Sequence, residues 1–233
     1  MKKSSLMNRE AIGFSTSLDR GPYQNNGASP WYADVGLGTP SQPLKFSFDT
    51  GSNFIWVTSS LCNPTTCHHY GDKQFDYDHS SSFTWVDEHG TDVSFGPWGN
   101  MDVQTGRDVF TLTPESLDRS GHGAVSLLSD IYLAESYKGQ QFIELDWDGG
   151  IGIPSSTEAP DTAPNSPYRY QSFANQAEAV SFHFFQSLIE QGIVSPKFPY
   201  VGFLTDIDSK DGQVQFGQLN EGYRNSREYL FLP

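Results

Sequence analysis

Phe48-Asp49-Thr50-Gly51-Ser52, followed closely by Ile55-Trp56-Val57, is the stretch that decides the fold of this chain. Upstream of it, Leu44, Phe46 and Phe48 alternate with Lys45 and Ser47, the period of two expected of a half-buried strand. Downstream, Phe54 to Val57 is an unbroken apolar run, the pattern of a buried strand. An Asp-x-Gly tripeptide alone is ordinary turn chemistry. Between two such strands, it sets the Asp49 carboxylate at the tip of a tight loop. Gly51 allows close approach of a ligand or another backbone segment. The Ser52 hydroxyl is placed to donate a hydrogen bond to the carboxylate and favour its charged form.

Further strands are expected at Ala11–Ser15, Trp31–Gly38, Phe83–Val86, Asp92–Phe95, Asp108–Leu112, Gly123–Leu128, Gln141–Leu145, Tyr200–Leu204 and Gln213–Phe216. Asp206 to Gly212 reads as a hairpin tip. One helix is expected over Glu178–Gln191, with Phe182, Phe185, Leu188 and Ile189 as its apolar face and Gly192 as its C-cap. Pro154 to Gln171 has the composition of a long surface loop. No internal repeat or linker is visible. The chain divides into an irregular amino-terminal arm, residues 1-29, and one domain, residues 30-233.

The 233 residues suffice for a sizeable core. Aromatics reach 14% and charged residues only 18%, a mix that favours short strands and an all-β fold. The net charge of −14 argues against nucleic acid or an anionic membrane as partner. No stretch has the apolar length of a transmembrane helix. Met1 to Arg20 carries Lys2 and Lys3 without an apolar core, so no signal peptide is readable. Cys62 and Cys67 lie close together in a polar loop, and a disulfide between them would favour a secreted or periplasmic location. With His68 and His69 the pair also has the donors for a metal, but adjacent histidines seldom both reach one ion, so no metal or other cofactor is expected.

The run Phe48–Val57 resembles the active-site loop of pepsin-like aspartic proteases, and the resemblance extends over about residues 30 to 233. Trp31 to Pro40 resembles the family's first lobe strand and its Gly-Thr-Pro turn. Cys62 to Cys67 resembles its small disulfide loop, and Gln74-Phe75-Asp76 with Ser80-Ser81-Ser82-Phe83 resembles the segment that follows. Asp148-Gly149-Gly150-Ile151-Gly152-Ile153 resembles the hydrophobic-hydrophobic-Gly motif that supports the catalytic loop. Gln191 to Val194 and Phe216-Gly217 resemble the family's helix end and closing strand.

The resemblance implies a single amino-terminal lobe of the pepsin-like acid protease fold, a closed or partly open β-barrel-like lobe with one main helix. It implies an aspartic-type endopeptidase with Asp49 as catalytic residue, Thr50, Gly51, Ser52 and Trp56 supporting it, and peptide or protein as substrate. In that mechanism two aspartates, one from each lobe, share a proton and a water, because neighbouring carboxylates do not both ionise easily. This sequence contains one Asp-Thr-Gly and no Asp-Ser-Gly, and it ends at Phe231-Leu232-Pro233, where the family's link to a second lobe would begin. The second aspartate is therefore expected from a homodimer or a separate chain.

In the segment matching the family's flap, Val93 to Asn100, Phe95 stands where a tyrosine is expected. Phe95, Gly96 and Trp98 are then flap residues, Trp98 keeping an indole donor; alternatively, Pro97 and Gly99 simply mark a turn and Phe95 packs on Trp56. Trp147 and Gly150 match positions that wall the substrate side-chain pocket, which predicts large apolar or aromatic side chains there. The competing function is a non-catalytic relative that binds a peptide, an enzyme or a carbohydrate. A fragment of a longer chain is the third possibility.

Overall fold

The computed structural model describes residues 13–22, 28–52, 54–63, 65–113, 124–153, 184–197, 200–206, 208 and 211–217. Its strands are β1 (Phe14–Arg20), β2 (Trp31–Leu37), β3 (Gln42–Asp49), β4 (Ile55–Thr58), β5 (Thr84–Ser94), β6 (Asn100–Leu112), β7 (Val125–Lys138), β8 (Gly149–Gly152), β9 (Val201–Thr205) and β10 (Asp211–Phe216). The described α-helices are the single turn α1 (Gln140–Ile143) and α2 (Phe184–Glu190). All ten strands join one sheet in the order β5-β6-β7-β4-β8-β3-β2-β1-β10-β9. A further pairing of β2 with β6, Val35 opposite Leu112, closes six of them into a ring. The fold is thus the all-β, barrel-like lobe that the sequence predicts.

The position of the loop at Asp49 follows from one irregular pairing. β3 and β4 are consecutive, yet they do not pair with each other, because β8 lies between them. β8 runs parallel to β3, with Phe46 opposite Gly149 and Asp49 opposite Gly152. It runs antiparallel to β4, with Ile55 opposite Ile151 and Trp56 opposite Gly150. The turn from β3 to β4 must therefore bridge a strand.

Side-chain alternation sorts the residues into two cores. Phe46 and Phe48 of β3, Ile55 and Val57 of β4, and Ile151 of β8 join Phe14, Phe110, Phe184 and Phe216 in the larger one. On the opposite face, Phe54 and Trp56 join Val93, Met101, Val103, Phe142 and Trp147. Burying each large side chain contributes about 1.5–3 kcal/mol. Because this second core roofs the outer face, β3 is buried on both sides near Asp49, and Ser47 is buried instead of facing solvent.

Several sequence expectations shift. Gln141–Leu145 is not a strand: the chain turns through α1 and buries Phe142 and Leu145. β7 extends far beyond the expected Gly123–Leu128; its Asp130 is tolerated in the strand because Arg107 of β6 pairs with it. The expected strand at Ala11–Ser15 appears as β1, which pairs with β10 and β2 and buries Phe14 and Leu18; residues 11 and 12 lie outside the described residues. α2 buries Phe184 and Leu188 and ends at Gly192, whose φ of +72° favours glycine. The amino-terminal part of the expected helix, including Phe182, the loop Pro154 to Gln171 and the run Phe231 to Pro233 lie outside the described residues.

Candidate active site

Asp49 ends β3, and both stems of its loop are held on β8. Ile153 N–H donates to Asp49 O at 2.7 Å, and Gly152 N–H donates to Phe54 O at 2.9 Å. Gly152 has no room for a side chain: a Cβ there would lie 2.7 Å from Phe54 N and 2.7 Å from Ser52 O. The loop can fold this tightly only over a glycine. The Asp49 side chain faces solvent, and its Oδ1 accepts from Gly51 N–H at 2.8 Å. That donor, in place of the Ser52 hydroxyl expected from the sequence, orients the carboxylate.

β8 is anchored in turn by Asp148, the residue before it. Asp148 is fully buried. Its Oδ1 accepts from His69 Nε2 at 2.9 Å and from Lys73 N–H at 3.1 Å, and its Oδ2 accepts from Lys45 N–H at 2.8 Å. The other ring nitrogen of His69, Nδ1, donates to Cys67 O at 3.2 Å. Both ring nitrogens are thus engaged by oxygen atoms, which fixes the ring's orientation. Cys62 and Cys67 form a disulfide, with their Cα atoms 5.9 Å apart. Disulfide loop, buried hydrogen-bonded pair and β8 thus form one connected support beneath Asp49. Sequence reading missed this pair, since His69 and Asp148 are 79 residues apart and only the histidine's position near the cysteines drew notice.

Above the loop, β5 and β6 form a hairpin whose tip closes with Phe95 N–H donating to Gly99 O at 2.8 Å. Gly96 and Gly99 take positive φ values there, +60° and +110°. Phe95 packs on Trp56, Phe54 and Phe142, with ring centroids 5.8, 5.1 and 5.1 Å apart. Trp98 stacks on Trp147 at 6.5 Å. The hairpin tip is therefore seated on the second core. Below Trp56, Tyr137 is hydrogen-bonded to the Thr58 hydroxyl, and burial pushes its phenol well above the ordinary value, keeping it protonated.

Between hairpin and loop lies a cavity of about 260 Å³ lined by Asp49, Trp56, Phe95, Trp98, Trp147 and Gly150. Residues singled out in sequence at four separate places thus meet at one site. Thr50 instead lines an adjoining cavity of about 220 Å³ with Leu18, Trp31, Phe48 and Phe203. Gly96 and Ser52 line neither of these cavities. Ser47 and the arm residues Ala28 and Ser29 also face the first cavity. The alternation of β3 places Ser47 on its polar side, and Ala28 and Ser29 lie in a polar stretch without pattern. Ser29 O accepts from the Trp147 indole at 3.2 Å, which fixes that wall. Among the described residues no cluster of His, Cys, Asp and Glu is arranged to hold a metal, and no helix is long and apolar enough to cross a membrane.

Comparison with known proteins agrees with this geometry. The fold and the clamped loop define a pepsin-like lobe. A model of the family described as eukaryotic aspartyl protease matches residues 30–229, and the chain belongs to that family. It is similar to pepsin A of Sus scrofa, 26% identical over 205 residues, which are 87% of this chain and 44% of that protein. It is also similar to plasmepsin IX of Plasmodium falciparum, 29% identical over 136 residues, 57% of this chain and 20% of that protein. Gastricsin of Cavia porcellus is 24% identical over 193 residues, 82% of this chain and 41% of its own length. The chain spans less than half the length of these curated relatives.

Proposed function

We propose that the chain is the amino-terminal lobe of an aspartic endopeptidase in which Asp49 supplies one carboxylate of a catalytic pair. The observation that carries this is the Asp49 side chain lining an aromatic-walled cavity, on a loop whose backbone is clamped by Gly152 and Ile153. One carboxylate of the pair takes a proton from the attacking water, while its protonated partner polarises the scissile carbonyl. Close approach of two carboxylates raises the pKa of one and lets them share the proton. The partner aspartate comes from a second lobe, either a second copy of this chain or another polypeptide segment. A homodimer would bring two copies of Asp49 together across a two-fold axis.

In this scheme Thr50, Gly51 and Ser52 shape the loop, Phe95, Gly96 and Trp98 form the flap, and Trp147 and Gly150 wall the pocket beside the scissile bond. The disulfide fits an oxidising, extracellular or periplasmic compartment. A second reading, a non-catalytic lobe that binds peptide or another ligand, is favoured by Phe95, which has no hydroxyl to offer a substrate and packs on Trp56.

Sedimentation across a concentration series, run beside cleavage of an unfolded protein at acid and neutral pH, tests the proposal. Specific activity that rises with association and is blocked by a pepstatin-type inhibitor supports it. A strict monomer with constant specific activity contradicts the shared-proton scheme, and an assembled but inactive protein favours the binding lobe.

A further inference from the structure

The floor of the cavity beside Asp49 is a row of three residues across β3, β8 and β4. Gly150 lies opposite Ser47 on one side and Trp56 on the other. All three face the cavity. The missing side chain of Gly150 leaves a notch, and the Trp56 indole fills its edge: Nε1 lies 2.6 Å from where a Cβ at position 150 would stand.

The two polar groups beside this notch are uncommitted. Trp56 and Ser47 are only 4% and 3% exposed, yet neither the Trp56 indole N–H nor the Ser47 hydroxyl bonds to a described residue. Among the described residues the one side-chain polar atom both sealed and unpartnered is Asp108 Oδ2, so the Ser47 and Trp56 groups open to the cavity. A buried polar group costs free energy unless something pairs with it. The other large walls are carbon-rich: Phe95, Trp98 and Trp147, the last with its own indole N–H already given to Ser29 O.

We propose that this floor makes the cavity selective for a tyrosine side chain. This rests on the reading of the cavity as the substrate side-chain pocket. The aromatic walls take the ring. At the notch the phenol oxygen accepts from the Trp56 indole N–H, and its hydroxyl proton is donated to Ser47 Oγ. Phenylalanine fills the same walls but leaves both floor groups unpaired, the arrangement by which a polar site rejects an analogue lacking a hydroxyl.

The test uses Asp49→Asn protein, which separates binding from turnover, and two capped hexapeptides differing only in a central Tyr or Phe. Binding is followed through the indole N–H cross-peaks of 15N-labelled protein, with that of Trp56 assigned by its loss in Trp56→Phe. Tyr peptide is expected to bind about tenfold tighter than Phe peptide, with the Trp56 cross-peak moving downfield for Tyr alone. Ser47→Ala, which removes one oxygen and little volume, should shrink the ratio severalfold while leaving Phe affinity within about twofold. Equal affinities in the starting protein, or a Tyr preference unchanged by Ser47→Ala, overturn the proposal while leaving the cleft as a peptide site. Absence of binding by both peptides overturns the cleft reading and this inference together.

Discussion

Replacing His69 by alanine removes the side-chain partner of a carboxylate that water does not reach. Asp148 is fully buried and His69 is 2% exposed, so the pair is not screened by solvent. Removing one partner of a buried pair costs about 3–5 kcal/mol, because the remaining charge is left uncompensated. Asp148 keeps its bonds from Lys45 N–H and Lys73 N–H, which places the expected loss near the lower end, about 3 kcal/mol. For a domain of this size that corresponds to a drop in Tm of about 6–12 °C. Thermal unfolding followed by near-ultraviolet circular dichroism measures it, and Asp148→Asn with the double variant completes a cycle. The double variant should lose less than the sum of the two singles, since both singles break the same buried contact. A His69→Ala protein within about 1 kcal/mol of the parent would refute the idea that this pair holds β8.

Gly152→Ala should destabilise by about 1–3 kcal/mol and impair Asp49 function together, because the new methyl meets backbone atoms of the loop and no flexible side chain gives way; unchanged unfolding and activity would show that the loop is not clamped there. Reducing the Cys62–Cys67 bridge should cost about 2 kcal/mol, the modest value expected for so small a ring, and thiol titration of the untreated protein should find no free cysteine. Near the tip of the hairpin, the Lys138 ammonium and then the Ser136 hydroxyl hold the Asp102 carboxyl below the usual carboxylate range. Its folded-state pKa is depressed, so its stabilisation is present above the ordinary carboxylate pKa and is lost only as pH falls through the lower folded value. A 13C titration of Asp102 with a midpoint at or above the usual range would contradict this, and Lys138→Ala should raise the midpoint.

The parts of the site that are local in sequence were legible. The alternation of Leu44, Phe46 and Phe48 and the apolar run to Val57 mark β3 and β4, and the Gly149–Gly152 run marks their support. What escaped depends on neighbours brought together only by folding. Ser47 looks solvent-facing until the hairpin roofs its face of β3. Ser129 and Asp130 hide the length of β7, because the Arg107 that compensates Asp130 sits on another strand. Phe142 and Leu145, three residues apart, share a face in a helical turn and not in a strand, and the chain after β7 takes the helical turn. The His69–Asp148 pair joins two segments that carry no common pattern.

The most direct test of Asp49 as the catalytic carboxylate is cleavage of an unfolded protein substrate, at acid pH, by the assembled parent protein and by Asp49→Asn prepared identically. The substitution keeps size and shape and removes only the charge and the transferable proton, so the two proteins should unfold at closely similar temperatures. Activity should fall by on the order of a thousandfold in the variant. An Asp49→Asn protein that cuts as fast as the parent would contradict a catalytic role for this carboxylate.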